Sequence, residues 1–302
     1  YVLLSTIVSL QFIYFIFIPL TEQLIKFFMN KYLILCFIFL ITSLTITAQS
    51  ETEKPFSIGE IINIDSKILA EKRLLNIYLP PGYQKNDTTN YPVIYLLDGS
   101  ADEDFIHIAG LVQFFNMAYK MPAAIIVGIA NIDRRRDFTF PTKLKDLKRD
   151  YPTTGGSQNF IAFLETELQP FIEKKYKTNA VKMLIGQSLG GLLASEILLK
   201  KPALFTNYII VSPSLWWDNE SLLKQATSLL TNQQDIKLQV YISVGTEGKI
   251  MERDAKKLWN ILNKLNRKNL KLDFVPLPDE NHATILHESV YEAFKILYPY
   301  KE

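Results

Sequence analysis

Cysteine is almost missing from this sequence: Cys36 is the only one in 302 residues. That excludes an intrachain disulfide, a multi-thiolate metal site and, beyond residue 49, a cysteine nucleophile. A domain of this size holds together through its core without disulfides, even outside the cytoplasm. Histidine is nearly as scarce, with only His107, His282 and His287. An imidazole base must be one of these three. An excess of charge is also lacking. The formal net charge is +2, which offers no basic field for nucleic acid or for anionic lipid. No internal repeat, low-complexity tract or linker interrupts the chain after residue 49, and nothing in it implies a metal or an organic cofactor.

Apolar sequence, by contrast, is concentrated at the N-terminus. Val2 to Leu20 is mostly apolar and uncharged, Glu22, Lys26 and Lys31 follow, and a second apolar run extends from Tyr32 to Ile41. Read from Met29, the segment has the form of a signal peptide: a lysine, an apolar stretch too short to span a bilayer comfortably, and the small Ala48 at the cut. Ile46 stands where a smaller residue is preferred, and Leu35 before Cys36 argues against a lipid-attachment site. The expected organisation is upstream translation or a membrane anchor over 1–28, a signal peptide over 29–48, and one α/β domain over 49–302. The product is then periplasmic or secreted, with no stable membrane insertion after cleavage. The rival reading makes residues 1–20 a transmembrane anchor, since Val2 to Leu20 is long enough to span.

From Phe56 onward, strand-like and helix-like segments alternate. Phe56 to Ile64 and Arg73 to Leu79 read as strands. Val93 to Leu97, Ala123 to Ile129, Met183 to Ile185 and Tyr208 to Val211 are continuous apolar runs, as in strands buried on both faces of a parallel sheet. Leu238 to Val244 and Leu272 to Val275 are strand-like with weaker apolar character. Helical spacing appears in Phe160, Phe163, Leu164, Leu168 and Phe171, in Leu258, Ile261, Leu262 and Leu265, and in Val290, Ala293, Phe294 and Leu297. This alternation predicts one α/β domain with a mostly parallel central sheet and helices on both faces. Asn131 to Ser157 breaks the rhythm and reads as a long loop of functional type.

Gly186-Gln187-Ser188-Leu189-Gly190 matches the G-x-S-x-G nucleophile elbow, with a short strand before it and a helical run from Leu192 to Leu199 after it. A sharp strand-to-helix turn exposes the serine hydroxyl. Gly186 and Gly190 are expected to prevent clashes across the turn, and Gly191 to let the helix approach the sheet. The Leu189 N–H points at the developing oxyanion. The base should follow the serine in sequence, after a late strand. His282 fits, behind Leu272 to Pro276 and a short polar loop. His107 precedes the serine on a probable helix position, and His287 lies too far along the last helix. The acid should follow the preceding strand, where Glu247 sits just past Val244. Asp254 is the competitor, and a Ser–His dyad without a close acid is a third option. For the second oxyanion donor, the loop Leu96-Leu97-Asp98-Gly99-Ser100 supplies the Ser100 N–H, with Gly99 allowing close approach of substrate.

The set of segments Arg73 to Tyr83, Tyr91 to Gly99, Gly186 to Gly191, Ser212-Pro213-Ser214-Leu215-Trp216-Trp217 and Glu280-Asn281-His282 resembles the "Putative esterase" family of α/β-hydrolases. Leu97-Asp98-Gly99, the Ser-Pro-Ser-Leu-Trp-Trp segment and Asn131 followed by Arg134, Arg136 and Asp137 bring it nearest to the branch that hydrolyses siderophore trilactones. The resemblance implies an α/β-hydrolase fold and hydrolysis of carboxylic esters, on siderophore or carbohydrate esters, through an acyl-enzyme. In that branch the third triad residue is poorly placed in some members. Arg134 or Arg136 is expected to bind a carboxylate, catecholate or sugar acid, the other reading being a solvated charge run with salt bridges to Asp137 or Asp133. Trp216 and Trp217 either wall a substrate ring or lie buried under a loop. An acyltransferase using the same triad, and a binding protein without catalysis, are the alternatives.

Overall fold

Apolar runs without polar alternation need cover on both sides, and that requirement organises the sheet. The computed structural model describes residues 21–35, 37–38, 53–86, 88–231 and 233–300. The expected span Val2 to Leu20, Cys36 and the cut at Ala48 lie outside them. The chain divides into two units, Tyr1–Phe56 and Ser57–Glu302. The first contains helical residues 21–35 and 37–38, α1. No helix among the described residues is long and apolar enough to cross a membrane.

The second unit contains, in chain order, β1 (Glu60–Ser66), β2 (Glu71–Tyr78), β3 (Tyr91–Leu96), α2 (Phe105–Ala118), β4 (Ile125–Ile129), α3 (Arg134–Phe138), α4 (Lys145–Asp150), α5 (Ser157–Phe163) and α6 (Gln169–Lys175). There follow β5 (Thr178–Gln187), α7 (Leu189–Lys200), β6 (Asn207–Val211), α8 (Trp217–Thr231), β7 (Leu238–Gly245), α9 (Lys249–Lys264), β8 (Leu270–Leu277) and α10 (Ile285–Leu297). A π-helical turn, Leu164–Leu168, joins α5 to α6. The eight strands form one sheet in the order β1-β2-β4-β3-β5-β6-β7-β8. β2 runs antiparallel to β1 and β4, and all other pairs are parallel. The strand order reverses at β3, so a crevice opens beyond the C-terminal ends of β3 and β5, where ligands bind in open α/β sheets.

Successive residues of the central strands face opposite cores. Val93, Tyr95 and Leu97 join Tyr208 and Ile210 in the core shared with α5, α7, α8 and α9. Ile94 and Leu96 join Ile209 and Val211 in the core shared with α2 and α10. The fold is therefore the α/β-hydrolase arrangement, with helices on both faces of a mostly parallel sheet. The expected long loop from Asn131 to Ser157 is not wholly irregular: it carries the short helices α3 and α4. A buried ion-pair group anchors its first part. Arg73 on β2, 1% exposed, bonds both Glu71 and Asp137, and Arg136 bonds the same two carboxylates.

Candidate active site

β5 runs directly into α7, and the single residue between them is Ser188. Its φ of 58° and ψ of −119° are rarely tolerated by a residue with a side chain. Neighbours hold it there: the Ser188 N–H donates to Val211 O at 3.0 Å, and the Ser214 N–H donates to Ser188 O at 3.0 Å. A Cβ on Gly186 would lie 2.5 Å from Gly190 O, and one on Gly191 would lie 2.9 Å from both Pro213 Cα and Val211 O. Gly190 departs from expectation, because a Cβ there meets nothing closer than Asp98 Oδ2 at 3.4 Å. The Leu189 N–H is the first of α7, among the amides that no acceptor inside the helix can satisfy.

His282 occupies the turn between β8 and α10, three residues before the helix begins. Asn281 shapes this turn by accepting the Ala283 N–H on its side chain at 2.9 Å and the Thr284 and Ile285 N–H groups on its carbonyl. Gln187, next to Ser188, donates its side-chain amide to His282 O at 2.5 Å. The β7 end is tied to the same loop through Thr246, whose N–H donates to Glu280 O at 2.8 Å.

Glu247 lies on that tied turn. Its Oε2 is 2.5 Å from His282 Nδ1, and its side chain is only 3% exposed. Its other oxygen, Oε1, accepts the Ser212 hydroxyl and, at 3.1 Å, the Gly245 N–H. Burial would raise the Glu247 carboxyl, but the bonds from His282, Ser212 and Gly245 outweigh it and hold the group below the ordinary glutamate value. Asp254 is elsewhere: fully buried on α9, it bonds Arg253 at 2.9 Å. Glu247 Oε2 thus takes up Nδ1 of His282, which leaves Nε2 as the ring nitrogen without that partner. The Ser188 hydroxyl contacts Ser214 Oγ at 3.4 Å.

Ser188 and His282 line one open cleft of about 400 Å³ with Asp98, Glu103, Asp104, Arg134 and Gln187. Arg134 enters it as half of an ion pair rather than as a free anion clamp. Its guanidinium grips Asp98 with bonds of 2.6 and 2.9 Å, and Asn131 adds a third bond to the same carboxylate. Arg136 is turned into the ion-pair group with Asp137, Glu71 and Arg73 and does not line the cleft. Trp217 follows the second of its two readings and does not wall the cleft. It is 0% exposed, and its indole N–H donates to Phe140 O at 2.9 Å, so no face is left for a substrate ring. Trp216, beside it, is partly exposed.

Gly99 also serves a different end from the one expected. A Cβ there would meet Gly128 Cα at 2.4 Å, so the glycine lets the ends of β3 and β4 meet. The Gly99 N–H is spent on Ile129 O, and Ser100 is the next amide along this loop. His107 and His287 face each other, Nδ1 to Nδ1 at 3.3 Å, and neither lines the cleft, although His107 Nε2 lies 3.2 Å from the cleft residue Asp104. Ser212, Ser214, Gln187 and Asn131 are site residues that motif reading assigned no part. Their signal was positional: each follows or ends a strand of the parallel sheet.

The family model described as "Putative esterase" matches residues 66–281. The ferri-bacillibactin esterase BesA of Bacillus subtilis (strain 168) is 30% identical over 247 residues, 74% of this chain and 85% of its own. An IroE-like serine hydrolase from Shewanella oneidensis superimposes with a TM-score of 0.72 at 30% identity, covering 80% of each chain. The BES protein from Bacillus cereus gives a TM-score of 0.72 at 32% identity, over 82% of this chain and 99% of that one.

Proposed function

This chain belongs to the "Putative esterase" family of α/β-hydrolases and is a carboxylic ester hydrolase, and from that premise we propose that Ser188, His282 and Glu247 cleave ester bonds of siderophore type through an acyl-enzyme. The observation that carries the proposal is the bond from Glu247 Oε2 to His282 Nδ1 beside a cleft that Ser188 also lines. His282 Nε2 removes the proton of the Ser188 hydroxyl as its oxygen attacks the ester carbonyl. The Leu189 and Ser100 amides stabilise the oxyanion. The tetrahedral intermediate collapses, the C–O bond to the leaving alcohol breaks, and His282 returns the proton to that alcohol. Water, deprotonated by the same imidazole, then releases the acid and restores Ser188.

Glu247 keeps the imidazole in the required tautomer and balances the imidazolium that forms twice per cycle. The siderophore assignment draws on the names of the relatives, among them a ferri-bacillibactin esterase, and on a cleft that stands open to solvent. Arg134, paired with Asp98, contributes shape and hydrogen-bonding edges there rather than net charge. Export through the signal peptide at 29–48 completes the reading.

Ser188→Ala is expected to fold as the parent does and to lose hydrolysis of aryl esters and of trilactone siderophores by several orders of magnitude. Product analysis by chromatography on both substrates tests this. Undiminished turnover by the variant would remove the serine mechanism.

A further inference from the structure

We infer that Ser212 is a positioning residue for the acid, acting through its hydroxyl on Glu247. The inference rests on the triad reading and extends it by one residue. β6 lies between β5 and β7, so the residues just beyond its end at Val211 stand between the nucleophile turn and the acid turn. Ser212 is anchored there at both ends. Its N–H donates to Ser243 O at 2.9 Å, and Pro213 after it packs where a Gly191 side chain would begin. Two residues on, Ser214 donates its N–H to Ser188 O. One short segment thus touches the nucleophile and the acid together.

Two features single out the hydroxyl of Ser212. The residue is 0% exposed, so water does not compete for that hydroxyl, and its bond goes to Glu247 Oε1. Its φ is 42°, a backbone region where glycine is the natural occupant. A serine retained in that conformation is explained by what its side chain does. With Oε1 saturated by Ser212 and Gly245, the carboxylate cannot rotate without losing two bonds, and Oε2 stays aimed at His282.

Ser212→Gly separates this role from a structural one, because it removes the hydroxyl while relieving the backbone. The expected result is a melting temperature equal to or above that of the parent. With it, kcat on an aryl ester falls by about tenfold to a hundredfold, the range for a bond to a charged group, while KM stays close to the parent value. In proton NMR, the downfield His282 Nδ1–H resonance should broaden or vanish in the variant. Ser212→Ala, which keeps the Cβ, should lose activity to a similar degree. Parent kcat together with an intact resonance in either folded variant would overturn the inference. Ser188→Ala and Glu247→Gln are run beside them. If those two are inactive while both Ser212 variants are fully active, the positioning role fails and the triad stands. If Ser188→Ala is active, the triad itself fails.

Discussion

Gly186 and Gly190 occupy equivalent places in the pentapeptide and unequal places in space. A side chain at Gly186 would enter the Gly190 carbonyl at 2.5 Å, whereas at Gly190 the nearest atom is 3.4 Å away. Gly190 also lies inside α7, where alanine is favoured over glycine by up to about 1 kcal/mol. Gly190→Ala is therefore expected to keep or raise the melting temperature, and Gly186→Ala to lower it and to displace the nucleophile. Thermal melts with activity assays on both variants check the contrast, and equal damage in the two would refute it. Glu247 supports a test against pH. Its native carboxyl titrates below the ordinary glutamate value because three hydrogen bonds outweigh its burial. A depressed native value means that its contribution to stability is complete above the unfolded value, about 4.3, and is lost as pH falls through the native value. Glu247→Gln should melt lower than the parent at neutral pH and converge with it in acid, while kcat at neutral pH falls by about three to four orders of magnitude. A melting gap of constant size across that range would contradict the sign. The places of Ser188, His282 and Glu247 in the fold were legible in the sequence because chain order and strand ends constrain them. Ser212 was legible only by its place after a strand, and its hydroxyl's partner was not, since Glu247 comes beside it only when β7 pairs with β6.

At the scale of elements, β3, β4 and β6 were readable because their apolar runs match burial on both faces. α2 was visible only as a helical setting for His107. Its outward residues Ile106, Phe114 and Met117 are also apolar and blur the helical period. α8 escaped for a different reason. Asp218, Asn219 and Glu220 follow Trp217 in left-handed conformation, a start no capping rule describes. Trp217 secures this start: its ring is buried against Tyr151 and its N–H holds Phe140 O. The aromatic pair that looked like a substrate wall is thus divided, with Trp217 in the core. Trp217→Ala is expected to cost about 3–5 kcal/mol of stability, as large-to-small core changes do, with KM of the remaining folded enzyme unchanged. Urea titration and steady-state kinetics read the two quantities separately, and a raised KM with undiminished stability would restore the substrate role.

At the scale of the whole molecule, the proposed chemistry is assembled from the ends of three strands of one sheet, β5 with Ser188, β7 with Glu247 and β8 with His282, with β6 between the first two. The N-terminal reading gives a separate expectation, a mature protein beginning within a few residues of Gln49 and recovered outside the cytoplasmic membrane. N-terminal sequencing of the natural product decides it, and retention of residues 1–28 would favour the anchor. The left-handed backbone of Ser188 has one more consequence. Ser188 keeps that shape only while Val211 and Ser214 grip its amide and carbonyl, and a serine released from it is an ordinary alcohol. Turnover is therefore a gauge of order at a single corner of the molecule. On the proposed chemistry, a chain in which β5 and β6 have not yet paired spares the ester it meets, however much of the remaining sheet has formed.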